Sequence, residues 1–159
     1  MKIKMNTKML MQAAIIAATY AVLTIAIAPL SYGVMQLRVS EALTVLPLFT
    51  PAAIPGLFIG CLVANIISPV GVVDMVLGSL ATLIAAFCSY KLRSKRWLVP
   101  LPPIIANGII IGAMLHYVYG VPIALPLCIL WVAIGEALAC YGLGYPLSRV
   151  LEKYKGIFK

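Results

Sequence analysis

From Met9 to Pro29 the chain runs 21 residues without a charged side chain. A helix of that length is about 30 Å long, enough to cross the hydrocarbon of a bilayer. The run exceeds the roughly 7–15-residue apolar core of a secretory signal, and further apolar segments continue to Pro146 where a soluble mature protein would otherwise begin. It therefore reads as a first span. Composition agrees: 64% of residues are hydrophobic and 10% charged, with mean hydropathy +1.09, whereas a soluble domain carries roughly 25% charged residues. A chain with so little polar surface must face lipid. The expected fold is an all-α integral membrane protein, one transmembrane domain over residues 1–159.

Length, prolines and charge place six spans, at about 9–28, 40–50, 52–68, 72–90, 97–119 and 122–147. The second is too short to cross in a straightforward way. Joined to the third through a kink at Pro51 and Pro55, it would leave five crossings. Charge arbitrates between the counts. Lys2, Lys4 and Lys8 precede the first span, "KLRSKR" follows the fourth, and Arg149, Lys153, Lys155 and Lys159 follow the last. Basic loops stay on the cytoplasmic side, so both termini and the "KLRSKR" loop are expected there, and an even number of crossings must lie on each side of that loop. Six spans satisfy this and five do not. Arg38 is then the one basic residue outside, and the net charge of +8 follows from topology. Nucleic-acid binding, which needs basic residues on a solvated face, is not expected.

Few polar residues remain for the rest of the chain, and they carry the chemistry. Arg38, Glu41, Asp74 and Asn65 fall at or near the outer face. Glu136 lies well inside the last span, near the midplane, where an ionised carboxylate costs on the order of 2.5–3.5 kcal/mol or more. It should face a partner or a wet cavity. Asn107, in the middle of the fifth span, matches its depth. His116 lies nine residues later, half a rotation away, and is expected among loops or water. Plain structure also accounts for each: an interhelical hydrogen bond for Asn107, an interfacial anchor for His116, a buried uncharged carboxyl at Glu136.

In the first span Ala14 and Ala18 are four apart, with Ala13, Ala17 and Ala21 widening the stripe. Small residues at this spacing let helix backbones approach closely, within the chain or against a partner. The sequence has no GxxxxGK[ST] for ATP and no HExxH. One histidine cannot build a histidine metal site. Cys61, Cys88, Cys128 and Cys140 lie singly inside spans, as small apolar core residues do. Neither an enzyme, a metal site nor a cofactor is expected, and few short spans suggest a binding subunit that draws energy from elsewhere.

The stretch "LRVSEALTVLPLFTPAAIPGLFIGCLVANIISPVGVVDMVLGSLATLIAA", residues 37–86, carries a resemblance that extends over the whole chain. Above all in "RVSEALTVLP", "TPAAIPGLFIGC", Asn65 in "VANI" and the "DMVLGSLATL" beginning at Asp74, it resembles the QueT family, substrate-binding (S) components of energy-coupling factor (ECF) importers assigned to queuosine precursors. Ala14 and Ala18 are similar to the AxxxA motif by which S components dock on the transmembrane coupling subunit. The resemblance implies a six-helix bundle in a bacterial cell membrane, capture of substrate from outside, and two partner ATPase subunits. The absent ATP motifs are then expected.

The implied substrate is queuine or 7-aminomethyl-7-deazaguanine, flat, guanine-like and carrying an amine. Its N–H donors suit the Glu136 carboxylate, its carbonyl the Asn107 amide, and its ammonium Asp74 or Glu41. Tyr117, Tyr119, Tyr32 and Trp131 are available to stack, though rings near membrane boundaries also serve as anchors. Arg38 is expected to pair with Glu41 and order the outer loop. An S component for another small metabolite, and a membrane scaffold without a ligand, stay open.

Overall fold

In the computed structural model, residues 6–32, 36–66 and 71–158 are described. Helix α1 spans Thr7–Ala26; it begins two residues before the first apolar position because the Asn6 side chain accepts a hydrogen bond from the Met9 amide at 2.9 Å, a standard N-cap. A single turn, α2 (Ala28–Ser31), carries Pro29 near its start, and a ten-residue 3₁₀ helix covers Val39–Leu48. Then come α3 (Ala53–Ile66), α4 (Val72–Lys91), α5 (Leu101–Tyr117) and α6 (Leu125–Ala137). Without a break, α6 passes into a π-helical segment, Leu138–Gly144, and on into α7 (Tyr145–Glu152).

Among the described residues, four helices are long and apolar enough to cross a membrane: Thr7–Ala26, Val72–Lys91, Arg96–Tyr117 and Leu125–Glu152. The expected spans at 40–50 and 52–68 appear as the two shorter apolar helices. At about 2 Å of rise per residue the 3₁₀ helix measures about 20 Å, and α3, with 14 residues, about 21 Å. They are separate elements. Pro51, which has no amide proton, sits at the break, and the Thr50 hydroxyl accepts from the Ala52 amide across it at 3.2 Å. Pro55 does not kink α3 as expected: it falls in the first turn, where amides have no intrahelical acceptor to lose.

The 3₁₀ helix is the hub of the molecule. It packs against α1, α3, α4, the π-helical segment and α7, while the remaining helices follow one another in contact, α1 on α3, α3 on α4, α4 on α5 and α5 on α6. A 3₁₀ helix eclipses positions three apart, and Glu41, Thr44 and Pro47 are all buried. Such a tight, long 3₁₀ run with an internal proline persists because packing on every side holds it.

Close approach of backbones sets the helix pairs. A Cβ on Gly60 would stand 2.8 Å from the Ala17 carbonyl oxygen and 3.0 Å from the Ala17 Cα; a Cβ on Gly112 would stand 2.7 Å from the Ile129 Cα. The alanine stripe of α1 is therefore two faces, not one. Ala13, Ala17 and Ala21 are buried, the first two against Gly56 and Gly60 of α3, whereas Ala14 and Ala18 are exposed. Gly60→Ala is expected to force α1 and α3 apart and destabilise the protein by about 1–3 kcal/mol. A lowered thermal midpoint in detergent would register it, with Gly142→Ala, which meets nothing within 4 Å, as the neutral reference.

Candidate functional site

Three of the chain's four acidic side chains are buried around the 3₁₀ helix: Glu41 and Asp74 at 0% exposure and Glu136 at 2%. The fourth, Glu152, pairs with Arg96 at 2.6 Å near the basic "KLRSKR" turn. Burying a charge is costly unless it is paired and hydrogen-bonded, so the partners of the three decide what the site can do.

Arg38 precedes the 3₁₀ helix in extended conformation. Its guanidinium crosses to α4, where Nη2 lies 3.3 Å from Asp74 Oδ2 and 3.4 Å from Oδ1. Nε donates to the Ser31 carbonyl oxygen at 3.3 Å, Nη1 reaches Cys61 Sγ at 3.8 Å, and the Tyr32 ring lies beneath it, 5.6 Å from its centroid. The expected Arg38–Glu41 pair is thus replaced by Arg38–Asp74. Sequence spacing misleads because the link between Arg38 and Glu41 is made by backbone, the Glu41 amide donating to the Arg38 carbonyl oxygen at 2.9 Å, while the two side chains leave toward different helices. Nor is the pair an exposed rim: Arg38 is 3% exposed. Asp74 stands in the first turn of α4, where the helix dipole favours a carboxylate, and Asn65 Nδ2 donates to its carbonyl oxygen at 3.2 Å.

Glu41 turns instead to α1, where the Tyr20 hydroxyl donates to its Oε1. Beside it Thr24 and Ser40 share a hydrogen bond of 2.6 Å, and the Thr44 hydroxyl donates to the Glu41 carbonyl oxygen at 2.6 Å. Glu136, on α6, takes the partner that depth along the spans suggested: Asn107 Nδ2 donates to its Oε1 at 3.0 Å. One turn further, at the start of the π-helical segment, Cys140 Sγ lies 3.8 Å from Glu136 Oε2, 3.5 Å from the Glu41 carbonyl oxygen and 3.4 Å from Thr44 Oγ1. Glu41, Glu136 and Cys140 each bring a ligand-type atom within 4.8 Å of the other two. Two carboxyl groups from elements far apart in the sequence, the 3₁₀ helix and α6, thereby converge. The arrangement can grip N–H donors or a cation between them.

Among the described residues, four buried polar atoms have no hydrogen-bond partner: Ser31 Oγ, Gln36 Nε2, Glu41 Oε2 and Asn65 Oδ1. Leaving such a group unpaired costs about 1–3 kcal/mol. Gln36 adds a second cost. Its φ of 45° lies in the left-handed region, disfavoured for a non-glycine residue by about 1–2 kcal/mol.

The family model described as "QueT transporter" matches residues 10–153, which include every charged and amide side chain of this cluster. The chain belongs to the QueT transporter family. A curated relative, "Queuosine precursor transporter QueT" of Lactococcus lactis subsp. cremoris (strain MG1363), is 37% identical over 83 residues, 51% of this chain and 48% of the relative. The match thus spans about half the length of that relative. No solved structure matches. Family and apolar helices together make this QueT member a multi-pass cell-membrane protein.

Not every expected residue of this QueT chain joins the cluster. Tyr117 is 72% exposed and Trp131 42%, on outward faces. Tyr119 packs beside the apolar cluster of Ile111, Met114, Leu115 and Val132 and reaches the polar cluster only at its edge, against Asp74. His116 meets a loop, its Nδ1 2.9 Å from the Ile123 carbonyl oxygen. Conversely, Tyr20, Thr24, Thr44, Gln36 and Cys140 belong to the cluster without having been expected there. Helical spacing held a signal for some: Tyr20 and Thr24 continue the buried face of Ala13 and Ala17, and Cys140 sits four residues after Glu136. For Gln36 no such signal exists, because its placement depends on a turn.

Proposed function

We propose that this QueT-family protein is the substrate-capturing subunit of an ATP-driven ECF importer, taking up a 7-deazaguanine queuosine precursor such as queuine or 7-aminomethyl-7-deazaguanine. The observation that carries the reading is the convergence of Glu41 and Glu136 on one buried polar cluster, in a chain whose relative is a queuosine precursor transporter. In this reading the Glu136 carboxylate accepts from the N–H donors of the guanine-like edge, oriented by Asn107. Asp74 is neutralised by Arg38, so Glu41 is the anion for the substrate's ammonium. Arg38, Asp74 and Asn65 hold the wall between the Gln36–Arg38 turn and α4.

The chain crosses the membrane six times, α3 and the 3₁₀ helix included, with both termini and the "KLRSKR" turn cytoplasmic, in keeping with the positive-inside rule. Energy comes from two ATPase subunits acting through a transmembrane coupling subunit. Ala14 and Ala18 are exposed on α1, and small residues there suit close docking of a partner helix. The test is reconstitution in liposomes: uptake of labelled 7-aminomethyl-7-deazaguanine is expected only with the coupling and ATPase subunits and ATP, and Ala14→Leu/Ala18→Leu is expected to abolish uptake while leaving binding intact. Accumulation by the chain alone, or uptake untouched by the double substitution, would contradict this.

A further inference from the structure

The four unpartnered atoms do not scatter through the molecule. Each belongs to a residue that is joined to Arg38 directly or through one intermediary. The Ser31 carbonyl oxygen accepts from Arg38 Nε; the Gln36 carbonyl oxygen accepts from the Arg38 amide at 2.8 Å; the Glu41 amide donates to the Arg38 carbonyl oxygen; and Asn65 is bonded to Asp74, the salt-bridge partner of Arg38. Polarity is defined for three of them, while Ser31 Oγ, a hydroxyl, can donate or accept. Asn65 spends Nδ2 on the Asp74 carbonyl oxygen, which leaves Oδ1 as an acceptor; Glu41 spends Oε1 on Tyr20, which leaves Oε2 as an acceptor; Gln36 Nε2 is a donor. Two acceptors and one donor, beside a hydroxyl that can serve either way, are complementary to a molecule with two N–H groups and one carbonyl.

The donor matters most. Asn107, expected to meet the substrate's carbonyl, commits one of its two Nδ2 hydrogens to Glu136, whereas Gln36 Nε2 has both of its own unspent. Gln36 is buried in a backbone conformation that glycine would adopt more easily, yet glycine has no side chain to donate. We propose that Gln36 is a specificity-determining residue, its Nε2 donating to the ring carbonyl oxygen of a planar amide-bearing heterocycle while Asn65 Oδ1 and Glu41 Oε2 accept N–H donors from the same molecule. This rests on the import reading above and extends it to how the base is told from its analogues.

The experiment is calorimetric titration of the full chain in detergent with two probes. One is 7-aminomethyl-7-deazaguanine; the other is its 6-thio analogue, which keeps the ring N–H but presents sulfur, a weak acceptor. The wild type is expected to prefer the oxo compound by about tenfold or more. Gln36→Leu should reduce that preference to less than about threefold by weakening the oxo compound alone, its undiminished binding of the thio compound showing an intact fold. Gln36→Met, which keeps the length of the side chain but removes the donor, should likewise reduce the preference, and it reads the same contrast if the leucine variant does not survive purification. Equal weakening of both probes, or an unchanged preference, overturns the role of Gln36 and leaves the import reading standing. Failure of the wild type to bind either probe removes the import reading itself, and the role of Gln36 with it.

Discussion

Asp74→Ala is expected to destabilise the protein by about 3–5 kcal/mol, the largest stability effect of any single change considered. The loss would appear as a markedly lowered thermal midpoint in detergent. Both charges of the Arg38–Asp74 pair are buried, at 4% and 0% side-chain exposure. The direct side-chain and backbone contacts of the guanidinium besides Asp74 are a carbonyl oxygen, a sulfur and an aromatic ring, none of which carries a full negative charge. Removing Asp74 leaves the cation without its directly paired carboxylate, with only the more distant Glu41 as counter-charge. The pair itself contributes little net stability once desolvation is counted, so Arg38→Met/Asp74→Leu should recover most of what Asp74→Ala loses. A double variant as unstable as the single one would show that Asp74 acts by something other than compensating Arg38.

Glu136→Gln should have the opposite profile, a large effect on binding and a small one on stability. Glutamine keeps the shape and can still accept from Asn107 Nδ2, so the α5–α6 contact survives. What disappears is the capacity to carry a charge opposite the substrate. A charge-assisted hydrogen bond is worth about 1.5–3 kcal/mol, and affinity for a 7-deazaguanine should fall about 10–100-fold in calorimetry, with a thermal midpoint close to wild type. Unaltered affinity would place the substrate elsewhere.

What could be read from the sequence, and what could not, divides along physical lines. Charge-free runs and clustered lysines and arginines reveal the long helices, because lipid permits so few alternatives. Depth along two helices was enough to bring Asn107 to Glu136, since each helix advances by a fixed rise. The partner of Arg38 was not legible: Asp74 is 36 residues away and reaches it only because α4 packs against the 3₁₀ helix, whereas Glu41, three residues away, looked nearer. The 3₁₀ and π-helical segments escaped for a related reason. Neither is favoured by local propensity; one is clamped by five neighbours, and the other lies where Pro146 removes an amide donor from the α-helical pattern. The split of the alanine stripe into an inner face and an exposed one likewise required Gly56 and Gly60 on α3, which no spacing within α1 announces.

The most direct test of the central claim is equilibrium titration of the purified chain, without partner subunits, with queuine, 7-aminomethyl-7-deazaguanine, 7-cyano-7-deazaguanine and guanine. Saturable one-to-one binding of a 7-deazaguanine, with guanine markedly weaker, is the result predicted for a capture subunit built around Glu41 and Glu136. No binding of any of the four to folded protein would contradict it.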